Sequence, residues 1–135
     1  MSKQFTLGKN ERLRSRKQIE KLFADGKSLV VNPFRVYYTI AIDSKESGVQ
    51  FGIGISSKNF KRAVDRNRIK RLTKEAWRLQ NIELKEKIKT AGNQLNVFFI
   101  YTGKDLPGFK IVKDKVAVAL KKLVGKVDEN ISSNT

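Results

Sequence analysis

The sequence predicts an α+β domain, a small sheet covered by helices, and three observations carry that prediction. Phe34 to Ile42 and Val49 to Ile55 alternate side-chain character with the period of a strand. Ala63 to Leu79 repeats apolar residues at helical spacing among Ala, Leu, Lys, Arg and Glu. Leu95 to Tyr101 is a further strand-like run followed by another helical pattern, so the order is α, β, β, α, β, α.

The first helix is capped by Ser15, with Gln18 three residues later completing a capping box. Ile19, Leu22 and Phe23 share its apolar face, Lys17 and Lys21 face solvent, and Gly26 stops it as a left-handed C-cap. Phe34, Val36, Tyr38, Ile40 and Ile42 alternate with Arg35, Tyr37, Thr39 and Ala41, so one strand face is core and the other is open to stacking. Asp43 to Gly48 has turn chemistry, and the two alternating runs it joins read as a hairpin. Gly52 and Gly54 clear one face of the second strand, for sheet packing or for close approach of a helix or ligand. In the long helix Ile69, Leu72, Ala76 and Leu79 form the buried stripe, with Trp77 beside it and partly buried. Glu83 to Lys89 is helical until Gly92 and Asn93 break the pattern, and Thr102 to Phe109 is a loop. The last helix buries Val112, Val116, Ala119, Leu120 and Leu123, and residues 1–127 form one domain with a flexible tail from Asp128.

Composition limits the function classes. Among 135 residues, Lys plus Arg minus Asp plus Glu is 29 − 13 = +16, which points to a polyanionic partner. Cysteine and histidine are both absent, which removes disulfides, thiol chemistry, zinc fingers and imidazole-based acids, bases or metal ligands. The longest apolar runs have five residues against the roughly 20 needed to span a bilayer, and the polar start lacks a signal-peptide core. A cytoplasmic protein with no membrane partner and no obligate protein partner is expected.

The charge is concentrated. Lys58 to Arg78 holds nine basic and two acidic residues, +7 in 21 residues, where an even spread of the total would put about +2.5. Arg62, Arg66, Lys70 and Lys74 follow at four-residue steps, flanked by Arg68 and Arg71. Like charges at that spacing weaken an isolated helix by a few tenths of a kcal/mol per pair, a cost that a polyanion offsets. Asp65 and Glu75 are too few to lace the face with salt bridges, so phosphate-backbone binding is the reading preferred over a merely solvated face. Arg offers a planar fork for phosphate, Lys a point charge, and Asn67 an amide that donates and accepts.

The same stretch carries a resemblance. Gly52, Ser57, Lys58, Ala63, Val64, the triplet Arg66-Asn67-Arg68, then Lys70-Arg71-Leu72, Glu75 and Arg78 resemble the signature of the bacterial ribonuclease P protein family. Arg12-Leu13, Phe23, Gly26, the Phe34 to Ile40 strand and the final strand and helix agree, so the likeness covers about residues 7–124. Two positions depart from it. Many relatives have Lys-Lys-x-Gly-Asn where this chain has Lys58-Asn59-Phe60-Lys61-Arg62, and Ile19 stands where some have an aromatic residue.

The resemblance implies an α-β sandwich with a small, mostly antiparallel sheet and a left-handed β-α-β crossover through the helix of the Arg-Asn-Arg triplet. It implies a protein subunit that binds a catalytic RNA and precursor tRNA and assists removal of the 5′ leader, with no catalytic residue or metal ligand of its own. Mg²⁺ would be held chiefly by the RNA subunit and substrate. RNA binding would fall to Arg12, Ser57, Lys58, Lys61, Arg62, Arg66, Asn67, Arg68, Lys70, Arg71 and Lys74, and leader binding to Ile19, Phe23, Phe34 and Tyr38. Two alternatives stand beside it: a general RNA-binding or ribosome-associated module, and a protein-only Mg²⁺-dependent nuclease using Asp43, Asp65, Glu75 or Asp105.

Overall fold

The alternating runs become strands and the apolar-spaced runs become helices, with one strand more than the sequence predicts. A computed structural model describes residues 16–41 and 48–133. The elements are α1 (Arg16–Asp25), β1 (Lys27–Val31), β2 (Phe34–Ala41), β3 (Gly48–Ile55), α2 (Ala63–Gln80), α3 (Ile82–Ala91), β4 (Gln94–Tyr101) and α4 (Phe109–Ser133). The expected cap at Ser15, and Arg12, Ile42 and the turn from Asp43, lie outside the described residues.

The sheet order is β1-β2-β4-β3, with β1/β2 and β2/β4 antiparallel and β3/β4 parallel. The hairpin expected from the two alternating runs is therefore absent, because β4 inserts between β2 and β3. The reason is burial: Leu95, Val97, Phe98, Phe99 and Tyr101 are all buried, and a strand apolar on both faces belongs in the middle of a sheet. The hairpin that does form joins β1 to β2 through Asn32 and Pro33, pairing Val31 with Phe34. β1 escapes sequence reading because Lys27–Val31 is short and exposes most of its side chains at the sheet edge.

Parallel pairing of β3 with β4 requires a crossover, and α2 and α3 supply it. These helices and α4 cover one face of the sheet, where Val36, Phe51, Val97 and Phe99 meet Ile69, Ala76, Trp77, Leu84, Ile88 and Val116. Phe51 stacks on Trp77 at 4.5 Å and 12°, and both rings meet Phe99 edge-on. Trp77 is thus fully enclosed, at 1% exposure, rather than partly buried, while Leu79, expected on the buried stripe, is 45% exposed. The true stripe is Ile69, Thr73, Ala76 and Trp77, and Thr73 enters it by donating its hydroxyl to the Ile69 carbonyl at 2.8 Å.

Gly26 ends α1, but not as a left-handed cap; among the described glycines a positive φ belongs to Gly48 and Gly92. A side chain at Gly26 would sit 2.3 Å from the Leu22 carbonyl oxygen, so close approach is what demands glycine there. Gly92, at φ 69°, closes α3 with its backbone N–H on the last turn. α4 continues through Ser133, past the tail expected from Asp128: Val127 is buried and Asp128 accepts from Lys87 at 2.9 Å.

Two outcomes follow from this packing. Phe51→Ala should cost about 3–5 kcal/mol, measured by urea unfolding with the single Trp77 as fluorophore; a loss below about 1 kcal/mol would contradict the stacked core. Burial raises the Tyr38 phenol above its ordinary value, with Lys126 opposing and Glu129 adding to it, and burial with Asp105 raises Tyr101. Both phenols hold their protons more tightly folded than unfolded, so their contribution is complete below pH about 10 and is lost as pH rises through the folded pKa. Ultraviolet titration should show two tyrosines ionising late, together with alkaline unfolding.

Candidate nucleic-acid interface

The basic segment is built in two parts, a pinned loop and a helix. In the loop, Phe60 is buried against Tyr101, with ring centroids 5.9 Å apart, and Asn59 donates its amide to the Gly103 carbonyl at 3.4 Å. Arg62 has extended backbone, φ −84° and ψ 127°, at the start of α2, and its carbonyl accepts the Asp65 and Arg66 N–H groups at 3.2 Å. Extended backbone suits any residue, so Arg62 needs no glycine- or asparagine-like freedom.

Arg66 acts inward. One guanidinium nitrogen donates to the carbonyls of Phe60 at 2.7 Å and Lys61 at 2.8 Å, tying the loop to the first turns of α2. That carbonyl pair holds the guanidinium on the protein side, so its part in any RNA contact is through the rest of the fork. Asn67, Arg71, Lys74 and Arg78 lie opposite the buried stripe, with Arg68 beside them and Lys70 and Arg66 half-buried on a flank. Arg78 is paired with Glu75. Ser57, Lys58, Lys61, Arg62, Asn67, Arg68, Arg71 and Lys74 are exposed, which presents a dense cationic surface from loop to helix.

The second surface is the sheet face away from α2 to α4. Only α1 covers it among the described elements, through Leu22 against Phe98 with Ile19, Tyr37 and Ile100 around them. Phe23 is 43% exposed, its ring 5.0 Å from Tyr37 and 5.4 Å from Phe98, both edge-on. Across the strands the rows on this face run Ser28, Tyr37, Phe98, Gly52 and then Val30, Arg35, Ile100, Gly54. The Phe98 ring lies over Gly54, where a side-chain carbon would fall 3.0 Å from it.

This geometry splits the expected leader contacts. Ile19 and Phe23 lie on the open face. Phe34, at 1% exposure, and Tyr38, at 4%, lie on the helix-covered face, where Phe34 packs against Phe99 and Tyr101. Neither ring is available for stacking on a strand of RNA in that groove. The aromatic side chain that belongs there is Tyr37, and the signal was in the alternation: Phe34 and Tyr38 share parity with Val36 and Ile40, whereas Tyr37 shares it with Arg35 and Thr39.

Among the described residues no group of three or more Asp, Glu, His or Cys stands together as a metal site. Asp65 and Glu75 are ten residues apart on α2, about 15 Å by helical rise, Glu75 is engaged by Arg78, and Asp43 lies outside the described residues. No helix among the described residues is long and apolar enough to cross a membrane.

The two arginine roles are separable by mutation. Arg66→Ala should lower stability by about 1–3 kcal/mol, because a charged donor to two carbonyls is lost. Arg71→Ala should leave stability within about 0.5 kcal/mol. Urea unfolding of the two proteins checks this, and equal losses would contradict the inward role of Arg66.

Comparison with known proteins places the chain in a family. The family model for ribonuclease P matches residues 7–124. The ribonuclease P protein component of Porphyromonas gingivalis is 32% identical over 130 residues, covering 96% of this chain and 95% of its own. That of Chlorobium phaeobacteroides is 31% identical, covering 83% of this chain and 84% of its own. The ribonuclease P protein of Thermotoga maritima superposes with a TM-score of 0.59 at 26% identity over 83% of this chain and 96% of its own. That of Staphylococcus aureus shares the fold, with a TM-score of 0.62 at 22% identity over 87% and 96%. Family model, full-length relatives and fold converge: this chain belongs to the ribonuclease P protein family.

Proposed function

We propose that the outer face of α2 binds the catalytic RNA of ribonuclease P and that the groove beside α1 holds the 5′ leader of precursor tRNA. Family membership makes the chain the protein component of an enzyme whose catalysis is carried by RNA. The observation that carries the division of labour is the placement of two unlike surfaces on opposite faces of one sheet. One is cationic and helical, suited to phosphates; the other is aromatic and open, suited to a single strand.

In this reading the protein screens phosphate repulsion and positions the leader, neither of which needs a histidine or a thiol. Lys58, Lys61, Arg62, Arg68, Arg71 and Lys74 contact the backbone, and Asn67 adds a donor and acceptor. Phe23 and Tyr37 offer ring surface to leader bases, with Ile19 as an apolar neighbour and Arg35 as a cation for the intervening phosphates. Mg²⁺ would be held chiefly by the RNA subunit and substrate, and would supply water activation and charge stabilisation there. The fixed charge of α2 lowers the concentration of Mg²⁺ that assembly requires.

Arg68→Ala, Arg71→Ala and Lys74→Ala combined should lower the salt slope of binding to the catalytic RNA by about 2–3, roughly 0.9 per lost phosphate contact. Cleavage at limiting Mg²⁺ should fall at least tenfold and return as Mg²⁺ is raised. Tyr37→Ala should raise KM for precursor tRNA while leaving KM for a substrate with a one-nucleotide leader unchanged. Unaltered cleavage and salt slope in the triple variant would refute the α2 assignment, and equal stimulation of unrelated RNA would favour a general RNA-binding module.

A further inference from the structure

The 58–78 segment accounts for +7 of the +16 charge, so a net 16 − 7 = +9 lies elsewhere, and no arginine follows Arg78. Part of that remainder is organised on α4. Ala117, Leu120, Lys121, Val124 and Asp128 line the groove between α4 and the α2-α3 pair, and Gln80 donates to the Lys113 carbonyl at 3.1 Å on the same side. Lys115, Lys122 and Lys126 recur at i, i+7 and i+11 on the other flank, toward β1, spanning about 16 Å by helical rise. Lys115 and Lys122 are exposed, and the exposed Ile111 and Val118 interleave with them.

The row ends in a niche of about 370 Å³ lined by Asp25, Lys27, Tyr38, Thr39, Ile40, Lys126 and Glu129. The niche exists because β1 begins at Lys27, opposite Tyr38, so β2 runs on through Thr39 and Ile40 without a strand on that edge. Tyr38 is the telling residue. Its ring is buried, and the side chain lines this polar cavity beside Lys126 and Glu129.

We propose that this flank of α4 is a second RNA-binding surface, with phosphates along Lys115, Lys122 and Lys126 and one nucleotide seated in the niche against the Tyr38 hydroxyl. Ammonium groups take phosphate as point charges, and the interleaved Ile111 and Val118 give apolar area to ribose and base. The carboxylates of Asp25 and Glu129 identify the occupant. They repel a bare phosphate or an acidic peptide, but accept hydrogen bonds from exocyclic amines or from a ribose 2′-hydroxyl. A ribonucleotide strand matches both halves, and Glu129, 3.7 Å from Lys126, joins them.

The test uses the full-length free chain and a short fluorescein-labelled single-stranded oligoribonucleotide, titrated over a range of salt. It is run in the parent and in the Arg68→Ala, Arg71→Ala, Lys74→Ala background, so that binding at α2 does not mask the result. Lys115→Gln, Lys122→Gln and Lys126→Gln combined should lower the salt slope by about 2, at roughly 0.7 per contact on a single strand. A control with the same net charge, Lys89→Gln, Lys104→Gln and Lys110→Gln, should keep the parent slope. Tyr38→Phe should weaken binding roughly three- to tenfold, the worth of one hydrogen bond, at unchanged slope and unchanged melting temperature. Equal losses in the α4 variant and the control would reduce the effect to net charge and overturn the proposal. So would a Tyr38→Phe protein that binds as the parent does. Since the readout is binding by the free chain, either failure leaves the cleavage result for α2 untouched.

Discussion

The parallel pairing of β3 with β4 is the constraint from which the rest of the molecule follows. Val49, Phe51 and Ile53 run alongside Leu95, Val97 and Phe99 in the same direction, so the chain must leave one end of the sheet and return to the other. α2 and α3 make that journey across one face. The crossover fixes which side of α2 is buried, and therefore which side carries Asn67, Arg71 and Lys74 into solvent. A helix crowded with like charges is intrinsically weak. Here it is held by Ile69, Ala76 and Trp77, with the Trp77 indole stacked on the Phe51 ring of the strand that precedes it. Charge density on the outer face is tolerated because apolar contact on the inner face supplies the stability, a separation in which each residue's role follows from its position on the helix.

The pairing also leaves the opposite face short of cover. With three helices committed to one side, only the ten residues of α1 remain among the described elements for the other. Its apolar side chains reach Phe98, Tyr37 and Ile100, and beyond them the Phe98 ring takes up the space over Gly54. Aromatic side chains exposed in a groove are costly to leave in water and are suited to stacking with unpaired bases. The loop from Ser56 to Arg62 leads from β3, which floors the groove, into the cationic helix. Arg66 ties that loop to α2 from inside, so the two surfaces are joined through a hydrogen-bonded junction.

Much of this was legible in the sequence, and the failures have physical causes. Strand positions 34–41 and 49–55 and the helix from Ala63 follow from periodicity alone, since alternation and helical spacing are local properties. Strand order is not local: β2 and β3 look like a hairpin because they are neighbours in sequence, and only the two-sided burial of β4 sends it between them. β1 is too short and too exposed to leave a pattern. The cationic face of α2 was legible as charge in excess of what pairing could absorb. The inward turn of Arg66 was not, because nothing in the residue order says that Phe60 and Lys61 present their carbonyls to it. The resemblance places Phe34 and Tyr38 in the groove, whereas their shared parity with Val36 sets them on the helix-covered face, where both are buried.

The central claim is that α2 and the α1 groove meet different RNA. The chain contains no cysteine, so a single introduced one places a chemical probe at a known position. The most direct measurement tethers an iron chelate at Arg71→Cys or at Phe23→Cys in the assembled enzyme with precursor tRNA and maps the radical cleavages. The structure predicts cuts in the catalytic RNA from position 71 and cuts in the 5′ leader from position 23. Leader cuts from position 71, or the same cuts from both positions, would contradict it.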